Sequence, residues 1–139
     1  MTSKRYIGKA CAYCAPHGIS KTEDHVVARE FFLAKDRPNL PKVPACERCN
    51  GLKSTLEHYV LTVLPLGSRH RDAKAYSKEN IERRLRKNPA IRRGLSLQHS
   101  GRWERQANGL LFPIMSVDID QDQIRALFAF IVKGLFAFH

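Results

Sequence analysis

The sequence predicts an α+β fold in two parts, a small hairpin-and-helix core over residues 1–67 and a basic helical and β-hairpin extension over residues 68–139, packing on the core or on a partner. Three observations predict it. Two Cys-x-x-Cys pairs, Cys11/Cys14 and Cys46/Cys49, bracket a stretch rich in β-branched residues and prolines, which favours short extended segments. Leu52, Leu56, Tyr59, Val60, Val63 and Leu64 then recur at helical spacing. From residue 68 to 105 the composition shifts sharply toward Arg and Lys.

Residues 1–10 read as a short basic lead-in that frays. Cys11-Ala12-Tyr13-Cys14 is the first knuckle, after which Pro16 and Gly18 turn the chain. Residues 19–27 suit a strand carrying Asp24 and His25. Phe31, Phe32 and Leu33 form an apolar anchor, and the sequence Asp36-Arg37-Pro38-Asn39 is a turn. Residues 40–45, with Pro41 and Pro44, return as an edge strand. A helix over 50–64 follows, with Lys53, Ser54 and Glu57 on its polar side, and Pro65 and Gly67 end it.

In the extension, Ser77 is the expected N-cap of a helix over 78–87 whose buried side carries Ile81 and Leu85, and Asn88-Pro89 breaks it. Ile91, Leu95 and Leu97 suggest a further short turn of structure ending near Gly101. Asn108-Gly109, between Trp103 and Leu110-Leu111-Phe112, is a favoured two-residue hairpin turn. Asp118 or Asp120 caps a last helix with Ile124, Leu127, Phe128, Ile131, Val132 and Leu135 on one face. Its apolar ending leaves two readings open, homodimer packing through this helix or a chain boundary.

The balance of 24 basic against 13 acidic residues, a net charge of +11, makes a polyanion such as DNA the natural partner. No apolar run reaches the roughly 18 residues of a membrane span, and the N-terminus lacks a secretory apolar stretch, so a cytoplasmic, thiol-reducing setting is expected. In that setting Cys11, Cys14, Cys46 and Cys49 favour one tetrahedral structural zinc over disulfides. A thioredoxin-like redox pair would leave the second Cys pair without a job.

Between the pairs lie groups suited to phosphodiester hydrolysis. A neutral imidazole at His25 can take a proton from water. Asp24 offers a carboxylate oxygen and Asn50 an amide oxygen, hard ligands for Mg²⁺ or Mn²⁺, with water and a substrate phosphate completing the shell. A single carboxylate holds such an ion loosely, so the ion is expected to bind well only with DNA present. Lys53 is either a phosphate contact or a solvated lysine. The cluster Arg83, Arg84, Arg86 and Lys87 is expected to meet phosphates. His17 could rival a cysteine for zinc, His58 reads as a surface or packing residue one or two turns from the metal, and His70 and His99 show no partners.

The run Cys-x-x-Cys, Asp-His-Val-Val, Asn-Leu, Val-Pro-Ala-Cys-x-x-Cys-Asn-x-x-Lys, from Cys11 to about Leu64, resembles the HNH endonuclease family in its Asn-for-His variant. The resemblance implies a ββα-metal core stapled by a four-cysteine zinc ribbon. It makes His25 the general base, Asp24 and Asn50 the catalytic-metal ligands, Asn39 the residue that fixes the loop and orients the base, and a 5′-phosphate the product. The sequence departs from the family in carrying Ala28 where a proline is usual, and in an Asn39 to Cys46 spacing two residues longer than the commonest form. Asn39 otherwise reads as an ordinary Pro-Asn turn, and Asn50 as a helix N-cap. The other readings are a non-catalytic zinc-ribbon DNA-binding module and a protein whose basic helices dock a protein or RNA.

Overall fold

The computed structural model describes residues 4–15, 19–94, 97–117 and 119–139 and, within these, the side chains of all but 67, 74–79, 94, 97–102 and 113–117. Pro16, His17, Gly18, Leu95 and Asp118 lie outside the described residues, as do the side chains of Ser77 and His99. The chain forms two compact units: residues 1–64 with 121–139, and residues 65–120. The first unit breaks off after Leu64, close to Pro65 and Gly67, and takes in the last helix.

The first unit is built on a two-stranded antiparallel sheet, β1 (Thr22–His25) and β2 (Lys42–Ala45), followed by α1 (Glu47–Val63). The register pairs Asp24 with Val43 and His25 with Lys42. Each strand is short because β2 contains Pro44, which cannot donate to the ladder. The lead-in is tied down: the Ser20 hydroxyl donates to the Tyr6 carbonyl at 2.5 Å and accepts from the Lys9 amide at 2.9 Å, and Ala10 bridges Ile19. The loop joining the strands carries Asn39 at φ 61°.

Helix α1 starts three residues earlier than its hydrophobic spacing suggests. Cys46 is its N-cap, the sulfur accepting from the Cys49 amide at 3.5 Å. Asn50 is therefore inside the first turn, its amide donating to the Cys46 carbonyl, and does not cap the helix. The phase shifts as well: Leu52 is exposed while Lys53 is fully buried, since Cys49, Lys53 and Glu57 are the residues turned toward the hairpin.

Helix α4 (Gln121–Phe138) closes this unit by packing on α1 and β2. Leu127 and Gly134 are its buried positions. Gly134 is a packing requirement, because a Cβ there would lie 3.0 and 3.2 Å from the two methyls of Val26 and 3.4 Å from the Tyr13 ring. Phe130 meets Tyr13 edge-on with centroids 5.1 Å apart. The core is Cys11, Tyr13, Val26, Val43, Ala45 and Cys49. Phe128, Val132, Leu135 and Phe136 stay exposed on the far side, so half of the face expected to be buried is not.

The second unit holds α2 (Arg71–Lys87), α3 (Pro89–Gly94) and a hairpin of β3 (Leu97–Arg105) and β4 (Leu111–Val117). Helix α2 starts well before Ser77, with the His70 ring accepting from the Asp72 amide as N-cap. Asn88 terminates α2, and its side chain accepts from the Ile91 amide at 3.3 Å to begin α3, with Pro89 at the first helical position, where a missing N–H costs nothing. The strand β3 begins at Leu97, within the stretch where the sequence suggests a further short turn of structure. The connection spans residues 106–110, longer than a two-residue turn, with Gly109 at φ 82° and the Gln106 amide bonded to the Leu110 carbonyl. Among the described residues no helix is long and apolar enough to cross a membrane.

Candidate functional site

The four cysteines converge. One sulfur from each of Cys11, Cys14, Cys46 and Cys49 lies within 4.8 Å of all the others, and the Cys14 and Cys46 sulfurs are 3.7 Å apart. A tetrahedron with metal–sulfur bonds of about 2.3 Å has edges of about 3.8 Å, so the cluster has the dimensions of a four-thiolate metal site. Backbone amides stabilise the sulfurs: Tyr13 donates to Cys11 and Cys49 to Cys46, each at 3.5 Å. Burial opposes ionisation of Cys11, but backbone bonds near Cys46, Tyr13 and Cys14 outweigh it and bring its thiol down to about 7. Burial and the neighbouring sulfurs push Cys49 up. Four thiols this close ionise together only around a cation, so the donor set fits a structural metal such as zinc.

Beside this cluster a cleft of about 280 Å³ opens between the hairpin and α1. Asp24, His25, Ala28, Arg29 and Glu30 line one wall, and Asn50, Ser54, Glu57, His58 and Leu61 the other. The second wall is a helical stripe: Asn50, Ser54 and His58 follow one another at intervals of four. Three residues that the sequence singles out, Asp24, His25 and Asn50, thus share one cleft. The Asn50 side-chain nitrogen donates to the Thr22 hydroxyl at 3.0 Å, and that hydroxyl donates to the Ala45 carbonyl at 3.1 Å. With its nitrogen engaged by Thr22, the oxygen is the atom this amide has left to offer.

Asp24 is held from below. Tyr13 Oη donates to Asp24 Oδ2 at 2.5 Å, and Lys53 Nζ reaches the same oxygen at 3.0 Å. Lys53 also donates to the His25 carbonyl at 2.7 Å and to Glu57 Oε1. The sequence offers Lys53 as a candidate phosphate contact; with a side chain 0% exposed it cannot touch a phosphate, and it serves the hairpin instead. Burial followed by the Asp24 charge raises the Tyr13 phenol, which therefore stays a donor. Burial also raises Glu57, against the pull of Lys53.

His25 is half-buried. Burial lowers its pKa, Lys42 and Arg29 lower it further, and Asp24 and Glu23 oppose them. The net direction is downward, which keeps the imidazole neutral and able to accept a proton at pH 7. Lys42 itself is paired with Glu23 at 2.9 Å.

Asn39, expected to orient the base or to be an ordinary turn residue, lies in the loop joining β1 and β2. It is exposed, adopts the left-handed conformation that asparagine tolerates in turns, and is absent from the lining of the cleft. His58, read as surface or packing, is exposed yet lies on the cleft wall. Glu57 and Tyr13 carry structure that the sequence did not single out; the available signal was Lys53 and Glu57 at i, i+4, beginning four residues beyond the last cysteine. Arg83, Arg84, Arg86 and Lys87 lie at the C-terminal end of α2 in the second unit, and Arg83, Arg86 and Lys87 are exposed there. Arg83 is engaged with Asn80 at 2.9 Å. No family model matches the chain, and comparison with curated proteins and with solved structures finds no match.

Proposed function

We propose that the chain is a metal-dependent endonuclease of HNH type, hydrolysing DNA phosphodiester bonds, with zinc on Cys11, Cys14, Cys46 and Cys49. The observation that carries this is the single cleft shared by Asp24, His25 and Asn50 beside the four-thiol cluster. A ribbon that only bound DNA would need no neutral imidazole, carboxylate and amide oxygen lining one cavity.

In this reading Asp24 and the Asn50 oxygen hold Mg²⁺ or Mn²⁺. That ion, when bound, supplies charge stabilisation at the phosphoryl oxygens and at the departing alkoxide. His25 takes the proton of the attacking water, and its lowered pKa keeps it unprotonated for that role. Ser54, Arg29 and His58 border the space the phosphate would enter. The cationic end of α2, with Arg83, Arg84, Arg86 and Lys87, contacts backbone phosphates without reading bases.

The test is supercoiled plasmid incubated with Mg²⁺ or Mn²⁺, using the wild type and His25→Ala. Nicked or linear product from the wild type alone supports catalysis. An intact plasmid with every divalent ion tried, or equal cutting by the variant, leaves the non-catalytic zinc-ribbon DNA-binding module as the better account. That module would still retard a DNA duplex in a salt-dependent way.

A further inference from the structure

We infer that the four-thiol site and the Asp24 cation site are energetically coupled through Tyr13, a positioning residue that belongs to both. The inference rests on the nuclease reading only in taking Asp24 as a cation ligand. Tyr13 is the third residue of the first Cys-x-x-Cys pair, and its amide donates to the Cys11 sulfur. Its main chain is therefore placed by the ion that the sulfurs bind. Its ring is buried against Phe130 and Gly134, and its carbonyl accepts from Lys133 Nζ at 3.4 Å, so α4 removes the ring's freedom to swing. At its far end the hydroxyl donates to Asp24 Oδ2.

That bond decides how Asp24 faces the cleft. Oδ2 receives two donors, Tyr13 Oη and Lys53 Nζ, which leaves Oδ1 as the oxygen offered to a cation. A carboxylate fixed by outer partners binds a metal better than one free to rotate, because the ordering cost is met before the ion arrives. Filling the thiol site orders the knuckle, the knuckle places Tyr13, and Tyr13 orders Asp24. By linkage the effect is reciprocal: occupancy at Asp24 stabilises the knuckle's grip on its ion.

Two measurements test this, both on the full chain bound to a short DNA duplex with the duplex alone as blank, because a lone carboxylate holds the ion loosely without DNA, and neither reads cleavage. In the first, Mn²⁺ is titrated into zinc-loaded protein and free ion is counted by electron paramagnetic resonance. Tyr13→Phe keeps the ring and its contact with Phe130, so zinc content should match the wild type while the lost bond to a carboxylate lowers the melting temperature by several degrees. Its Mn²⁺ affinity should fall about tenfold, the low end of what losing an outer partner costs. In the second, Co²⁺ replaces zinc on the sulfurs and Mg²⁺ is added while the Co²⁺–thiolate absorption is recorded. A saturable spectral change is expected in the wild type and is lost in Asp24→Ala, and this arm decides even where Tyr13→Phe folds poorly.

Mn²⁺ bound through Asp24 with equal affinity in wild type and Tyr13→Phe overturns the coupling and leaves the nuclease reading standing. A Co²⁺ spectrum indifferent to Mg²⁺ does the same. A wild type that holds Mn²⁺ no better than Asp24→Ala removes the cation site, and both readings fall together.

Discussion

Replacing Lys53 by Met should be the most damaging single change in the first unit that touches no cysteine. The ammonium is fully buried and meets two carboxylates, Asp24 and Glu57, and the His25 carbonyl. Met fills nearly the same volume but leaves two adjacent acids without a cation and a carbonyl without its donor. Removing one partner of a buried ion pair costs about 3–5 kcal/mol, and most of that is the penalty on the charge left behind.

The cost depends on pH with a definite sign. Glu57 already has a raised pKa in the fold, and without Lys53 it rises further. A carboxyl whose folded pKa exceeds its unfolded value is favoured by the fold below the unfolded pKa, and that advantage is lost as pH rises through the folded pKa. Lys53→Met should therefore be less destabilising at pH 5 than at pH 8, because acid favours the neutral form of Glu57. Amide hydrogen exchange of α1 in the zinc-loaded chain reads the first unit separately from the second. A loss below about 1 kcal/mol at both pH values, the worth of a surface ion pair, would refute the buried-cation account. So would a larger loss at the acid end.

Gly134→Ala sets a helix-propensity gain of about 1 kcal/mol against overpacking of about 1–3 kcal/mol on Val26, which is fully buried and bonded through its amide to Pro41, so urea unfolding should show net destabilisation. The acid limb of the plasmid-cleavage rate should lie below 6.5, the ordinary histidine value, because activity is lost only as pH falls through the lowered pKa of His25. Lys42→Ala removes a cation that presses this pKa down and frees Glu23, so the limb should move toward higher pH. Changing Arg86 and Lys87 together to Ala should reduce the slope of log affinity for duplex DNA against log salt by about 2, measured by fluorescence anisotropy. Thiol modification should release one zinc per chain and unfold the β1–β2 hairpin with α1, seen as lost amide protection there, since binding energy at such a site is folding energy.

Much of the first unit was legible because its constraints are local. Cysteine spacing located both knuckles and Pro44 limited β2; in the second unit, Asn88-Pro89 marked a helix boundary through caps and a missing amide. Errors arose where tertiary contacts overrode local preference. Apolar periodicity put Leu52 inside and Lys53 outside, whereas the Cys46 cap fixes the helical phase so that Cys49 and Lys53 turn toward the hairpin together. No propensity scale buries a lysine, since the compensation comes from groups 28 and 29 positions earlier in the chain, His25 and Asp24. The return of α4 to the first unit was likewise hidden, because its packing depends on a glycine meeting Val26 and Tyr13 across more than a hundred residues.

Whether Asn39 orients the base of the proposed nuclease is a question of which group holds the His25 main chain. A base at the end of a short strand must be held against fraying, and a loop asparagine is one way to do it. Here the loop between β1 and β2 spans residues 26–41 and carries Asn39 outward on a left-handed turn. The His25 main chain is held by Lys53, reaching across from α1 to its carbonyl. Asn39→Ala should then cost no more than the strain of an alanine in the left-handed region, about 1 kcal/mol, and leave cleavage close to wild type. A large loss of cleavage in Asn39→Ala with intact fold would return the orienting role to the loop and remove Lys53 from it.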